Sequence, residues 1–331
     1  MTWFERLMGF REASPAQVRE KIRVEGDRLT SLVSGRTFIH GRLETPSLGE
    51  LRRRVNRSEG RAGELSVREV VADVSDLHAD EANAGCVFQV ASQFNLLEMV
   101  GPSVTPERGV GIYENDGTQG PTCAIAAGAG TIYRNYFVPV DGRPGQSAER
   151  QIDCLSDLGA ALGNSGERLW TMRNGYALAS REGLREISER LQAASEDEVD
   201  GLRRLLRIGI QWDTQVTIGE SAHTVTQAYC SALPVAYSEH PTSLWEDFAR
   251  LVLEASYEAT ICAGILNVLS SGERRVFLTR LGGGAFGNRT AWIIDSIGRA
   301  LALYADCDLE VAMVSYGAPT PAVRGLVEAF S

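Results

Sequence analysis

Two hydrophobic periods divide most of the chain between them. Residues 65–74 alternate apolar and polar side chains, as a strand covered on one face does, and Gly85-Cys86-Val87-Phe88-Gln89-Val90 is an apolar run of strand length. Residues 136–140 read as a short edge strand, 152–162 as a helix and 175–178 as a further short element. The segment 181–194 is a charged amphipathic helix, and 196–207 another, opening on Glu196-Asp197-Glu198, acids that favour a helix N-terminus. Residues 208–218 and 224–237 read as strands around a polar turn, and 245–266 as the longest apolar helix. A strand over 276–281, a helix over 290–305 with Ile293, Ile294, Ile297, Leu301 and Tyr304 at helical spacing, and a strand over 309–316 complete the pattern. Strands alternating with helices predict an open α/β sheet.

Residues 1–61 carry a different pattern. Ser14-Pro15 and Thr45-Pro46-Ser47 are helix-start signals, and basic residues outnumber acidic ones here, the reverse of the rest. The expectation is a helical N-terminal extension over 1–61, with solvated helix faces or a docking surface, followed by an α/β domain over 62–331.

Three loops interrupt the periodic segments. After the buried strand comes Ala91-Ser92-Gln93-Phe94-Asn95-Leu96-Leu97-Glu98, whose small and amide side chains are able to grip hydroxyls or cap a helix. Residues 101–121 are long, polar and aperiodic, ending in Asn115-Asp116-Gly117-Thr118-Gln119-Gly120-Pro121. Loops of that length inside a domain tend to be functional. They lead into a helix over 122–133 built of alanines and glycines, which allow close approach and read as one wall of a pocket. The third loop, Gly282-Gly283-Gly284-Ala285-Phe286-Gly287-Asn288, joins a strand to a helix. Bare backbone N–H groups and a helix start suit an anion such as a phosphate, although an ordinary tight turn would use the same residues.

Gly282, Gly284 and Gly287 satisfy G-x-G-x-x-G, with Asp306 at the distance of a ribose-binding acid. A dinucleotide-binding domain needs several further βα units beyond that turn, and only one helix and one strand follow, so the loop is expected to close a sheet.

Composition narrows the partners. The chain has 331 residues, 44% apolar and 23% charged, with a formal charge of -10, which argues against a nucleic-acid partner. No apolar run approaches about 18 residues, and residues 1–10 are too short and charged for a signal peptide, so no membrane association and a cytoplasmic location are expected. Six cysteines stand singly, as buried thiols would, and four dispersed histidines offer no zinc spacing; neither a metal nor a cofactor is expected. Cys230-Ser231 lies at a strand end without a nucleophile elbow, and Trp170, Trp212, Trp245 and Trp292 suit core or rim positions.

The stretch Leu281-Gly282-Gly283-Gly284-Ala285-Phe286-Gly287-Asn288, followed by a helix and a strand ending Val314-Ser315-Tyr316-Gly317, resembles the phosphate loop of macrodomains, in particular the poly(ADP-ribose) glycohydrolase branch. Segments 89–98 and 116–121 are similar to those of divergent macrodomain-like ADP-ribosylhydrolases, among them a Legionella effector that removes ADP-ribose from arginine. The resemblance spans roughly residues 65–320 and implies a macrodomain-like three-layer α/β/α fold with a mixed sheet. By the same resemblance Gly282, Gly283, Gly284, Phe286, Gly287 and Asn288 would hold a diphosphate and distal ribose, Gln93 and Asn95 would lie at the ribose, and Thr118, Gln119 and Gly120 would border the ligand. Tyr316 would flank the terminal ribose or adenine. Acids near the distal ribose carry the reaction in that group, which points here to Asp116, Glu98 and Glu107. The paired-glutamate loop of poly(ADP-ribose) glycohydrolases is absent after Asn95, which argues against polymer cleavage.

The expected activity is hydrolysis of the ribose C1″ bond in ADP-ribosylated protein, with arginine as the modified residue and ADP-ribose or ADP-ribosylated protein as partner. A module that binds ADP-ribose or NAD without catalysis is the alternative, and an enzyme acting on a free nucleotide metabolite a third.

Overall fold

The computed structural model describes residues 1–57, 63–219 and 222–330. The chain opens with α1 (Trp3–Met8) and α2 (Pro15–Lys21), a small antiparallel sheet of β1 (Ile22–Glu25), β2 (Arg28–Ser31) and β3 (Thr37–Ile39), then β4 (Arg42–Glu44) and α3 (Leu48–Arg57). β5 (Ser66–Val71), α4 (Val74–Ala79) and β6 (Val87–Ala91) follow, and a long connection leads to α5 (Gln119–Ala126) and α6 (Gly128–Tyr136). Next come the short pair β7 (Pro139–Val140) and β8 (Arg143–Pro144), α7 (Ser156–Leu162), a hairpin of β9 (Trp170–Arg173) and β10 (Tyr176–Ala179), α8 (Arg181–Ala193) and α9 (Glu196–Arg203). The remaining elements are β11 (Gly209–Gln215), β12 (Thr224–Cys230), α10 (Glu246–Ser271), β13 (Arg275–Leu278), α11 (Thr290–Leu303), β14 (Glu310–Ser315) and α12 (Pro321–Ala329).

Seven strands form the central sheet in the order β4-β11-β12-β6-β13-β14-β5. β12, β6, β13, β14 and β5 run parallel, whereas β11 is antiparallel to both β12 and β4. Burial on both faces is why β6 reads as an apolar run broken only by Gln89. Phe88 turns to one face, where its ring stacks on His78 of α4 at 3.9 Å; Gln89 turns to the other and donates to Thr260 of α10 at 3.0 Å. α4, α5 and α6 lie on the first side, and α10 on the second, with α3, α8, α9 and α11 packed around it. The result is the expected three-layer arrangement around a mixed sheet. α10 is long and apolar enough to cross a membrane, and 89% of its apolar window is buried by these neighbours. Glu258, buried at its middle, pairs with Arg52 of α3 and Arg299 of α11.

The structure changes several expectations. Residues 1–57 are not helical throughout: β1–β3 fold back through Gly26 (φ 60), and β4 joins the central sheet beside β11. The boundary expected at residues 61 and 62 lies outside the described residues. The helix expected over 122–133 begins at Gln119 and breaks at Ala127 (φ −116, ψ 59). Thr217 causes the break, because its N–H takes the carbonyl of Ala126 at 2.7 Å and its hydroxyl accepts the N–H of Gly128 at 2.9 Å. The strand expected over 224–237 ends at Cys230, ahead of Pro234, which has no N–H for a ladder. Residues 170–179 form a full hairpin, closed by Asn174 (φ 48) and Gly175 (φ 80), a pair that favours the turn of a two-residue hairpin.

Candidate functional site

The ends of β5, β6, β13 and β14 open into a crevice of about 470 Å³, lined by Ala72 and Thr279, which immediately follow β5 and β13, by Ala91 at the end of β6, and by Val314 near the end of β14. All four strands are parallel, so the crevice lies at their C-terminal ends, where an open α/β sheet leaves space between diverging loops.

The glycine loop forms one part of the wall. Gly282 takes φ 71, the N–H of Asn288 donates back to its carbonyl at 3.0 Å, and the Asn288 side-chain amide donates to the Leu233 carbonyl at 2.9 Å. With the loop braced in this way, the N–H groups of Gly284, Ala285 and Phe286 meet no acceptor among the described residues. Three successive unpaired donors make an anion-binding nest. A Cβ on Gly284 would meet nothing within 4 Å, so the fold itself does not require glycine there. Arg280 is the only basic side chain lining the crevice among the described residues, and it enters no ion pair with them.

Acids form another part. Glu98 is 3% exposed, and its Oε1 has no hydrogen-bond partner among the described residues. Burial drives its carboxyl well above the usual range; Arg134 opposes that shift and Asp116 adds to it. Arg134 is buried too, its guanidinium 3.6 Å above the Tyr229 ring and its Nε donating to the Leu96 carbonyl at 3.1 Å. Gly120 makes room for the acid: a Cβ there would stand 1.9 Å from the Ala91 carbonyl oxygen and 2.5 Å from Glu98 Oε2. Gln119 fixes the start of α5 to β6, accepting from Ala91 N at 2.9 Å and donating to the Gln89 carbonyl at 2.8 Å. Asp116 precedes that helix, and its Oδ1 accepts the N–H of Thr118 at 2.9 Å. Asp73, the N-cap of α4, is a third acid in the lining; its Oδ1 accepts from Ser75 N at 2.8 Å.

Of the residues expected at a site, Gln93, Glu98, Asp116, Thr118, Gln119 and Gly120 all border this crevice, as do Gly282, Gly283, Gly284, Phe286 and Tyr316. Four do not. Asn95 is buried away from it, its amide donating to Gln151 at 2.8 Å and its carbonyl oxygen accepting from Leu97 N at 3.1 Å, so it shapes the turn that delivers Glu98. Glu107 lies in a separate turn, where it accepts from Ala148 N at 2.9 Å. Gly287 and Asn288 brace the glycine loop from behind; a Cβ on Gly287 would lie 2.8 Å from that of Ala236. Tyr316, 81% exposed, stands at the rim. Trp170, Trp212, Trp245 and Trp292 are buried and none of them lines the crevice.

Sequence reasoning missed Asp73, Arg280, Tyr176 and Tyr237. Asp73 lay inside the expected 65–74 strand, although Asp-x-x-Asp before an apolar helix is a capping signal. Arg280, two residues before the glycines, was legible as a charge beside an anion loop. Tyr176 and Tyr237 meet Phe286 at 5.4 and 5.6 Å between ring centroids, an aromatic group that only the fold assembles.

No known family model matches the sequence, and no curated protein does. Among solved structures the chain is similar to poly(ADP-ribose) glycohydrolase from Deinococcus radiodurans in complex with ADP-ribose, in one crystal form with TM-score 0.48, 13% identity and coverage of 88% of this chain and 95% of that one. Another crystal form gives TM-score 0.47 and 10% identity over 97% and 99%. The Thermomonospora curvata poly(ADP-ribose) glycohydrolase gives TM-score 0.45 and 14% identity over 96% and 97%. At these scores the likeness carries no functional weight, which rests on the residues of the site.

Proposed function

We propose that the crevice binds an ADP-ribosyl group and that the chain hydrolyses the bond from ribose C1″ to a modified protein side chain, with arginine as the residue it suits best. The observation that carries this reading is the division of charge within one crevice. Free N–H groups and Arg280 at the glycine loop suit a diphosphate, whereas Asp116 and Asp73, with the buried Glu98 carboxyl beside them, suit an electron-poor sugar carbon and a cationic leaving group.

Hydrolysis breaks the C1″–N bond and forms a C1″–O bond from water; water gives up a proton and the departing guanidine gains one. The reaction passes through an oxocarbenium-like state that nearby carboxyl groups stabilise. Burial holds Glu98 in its acid form over a wider pH range than an exposed glutamate, which fits it to donate toward the departing nitrogen. Asp116 is assigned to the water or to the ribose hydroxyls. Glu107 has no part in the scheme, because it stands apart from the crevice.

The reading is tested by release of ADP-ribose from arginine-modified protein. Wild type should release it, and Asp116→Ala should not, while still binding ADP-ribose in a calorimetric titration. Unchanged turnover in Asp116→Ala would remove that residue from the mechanism; binding without turnover in wild type would leave a nucleotide-binding module instead.

A further inference from the structure

The N-terminal residues build part of the site without reaching it. α1 is amphipathic, and Trp3, Phe4, Leu7 and Met8 are buried in an apolar cluster distinct from the main core. That cluster also takes in Leu97 and Met99, which flank Glu98, and Val110 and Tyr113 from the loop ahead of Asp116. The acid-bearing segments therefore pack on the N-terminal helix as well as on the sheet.

Glu12 is the polar centre of this contact. Its Oε1 accepts the N–H of Val110 at 2.9 Å and the hydroxyl of Tyr136 at 2.5 Å, and its Oε2 accepts the N–H of Gly111 at 2.7 Å. Trp3 holds the same turn, with Nε1 donating to the Val110 carbonyl and its backbone N–H to Glu114 Oε2, each at 2.9 Å. From there two bonds reach the acids: Tyr113 O accepts from Asp116 N at 3.1 Å, and Tyr113 Oη accepts from Glu98 N at 3.0 Å. A carboxylate accepting two backbone N–H groups and a phenol is a strong, directional clamp.

We propose that Glu12 is a positioning residue that holds the turn 110–116, and through it Glu98 and Asp116, in working register; this rests on the reading of those two acids given above. The N-terminal segment is thereby a fixed part of the catalytic wall rather than an appendage. Its role is exerted through Val110, Gly111 and Tyr113, none of which needs to touch the ligand.

Glu12→Ala and Glu12→Gln in the full chain test this by amide hydrogen exchange without ligand, and by turnover. Glu12→Ala should raise exchange across 110–116 by about tenfold or more while α10 and the central sheet stay protected. The same variant should lower kcat with little change in ADP-ribose affinity, and Glu12→Gln, which keeps a carbonyl acceptor, should recover much of both losses. Unchanged exchange across 110–116, or a rise spread equally over α10 and the sheet, overturns the proposal. If Glu12→Ala does not accumulate folded, Glu12→Gln decides alone: intermediate exchange in the turn supports the clamp and wild-type exchange refutes it. Because exchange is read without substrate, an inactive wild type would sink the hydrolase reading while leaving this result standing.

Discussion

The backbone N–H of Glu98 donates to the phenolic oxygen of Tyr113 at 3.0 Å, across fifteen residues of sequence. Tyr113 also receives Asp116 N on its carbonyl, so one residue sets the positions of both acids. Tyr113→Phe keeps the buried ring but leaves the Glu98 N–H without an acceptor. The expected cost is about 1–3 kcal/mol in urea unfolding, the penalty for an unpaired buried donor. Turnover should fall more than ADP-ribose affinity, since the phenol holds an acid and not the ligand.

Glu98 makes stability depend on pH. Its folded carboxyl holds a proton more tightly than the unfolded chain does, so the folded state is favoured most at low pH. That advantage is lost as pH rises from about 4.3, the ordinary glutamate value, through the raised folded value. Glu98→Gln does not ionise and escapes the loss. Urea midpoints from about pH 4 to about pH 8 should show the variant gaining on wild type across that window, with turnover abolished. Parallel curves for the two proteins would contradict the burial account.

Arg280 forms no ion pair with the described residues, so its loss should leave stability unchanged. Its charge beside the free N–H groups should instead support the diphosphate. Arg280→Ala is expected to weaken ADP-ribose binding about tenfold, the scale of one charge-assisted hydrogen bond. The weakening should shrink as salt is raised, because screening removes the same contribution from wild type. Titrations at two ionic strengths check both points.

Periodicity made most of the sheet legible, because β5, β6, β13 and β14 carry the apolar patterns that strands in a covered sheet require. The antiparallel edge was harder to see. β4 is three residues long, two of them the charged Arg42 and Glu44, and only its pairing with β11 makes it a strand. The glycine loop is legible as three consecutive glycines between a strand and a helix, whereas Asp116 rests on the family resemblance, since Asn115-Asp116-Gly117 alone reads as a plain turn. Glu98 was identified beside them, but its burial and unpaired oxygen were not, since those depend on Gly120 and Arg134 brought together by folding. Asn95 and Asn288, expected at the ligand through the family resemblance, instead satisfy local backbone and amide groups. Polar side chains that shape a loop and those that meet a ligand share one composition; only burial and partners separate them.

The central claim is that a diphosphate-linked sugar lies against the bare N–H groups of the glycine loop. Gly284 isolates it, because its backbone is not left-handed and its Cβ position is empty, so Gly284→Val should fold as wild type does. Calorimetric titration with ADP-ribose is the direct measurement. The account predicts binding to wild type and a loss of about tenfold or more, roughly 1.4 kcal/mol, in Gly284→Val at unchanged thermal midpoint. No heat of binding in wild type, or equal affinity in the two proteins, would contradict it.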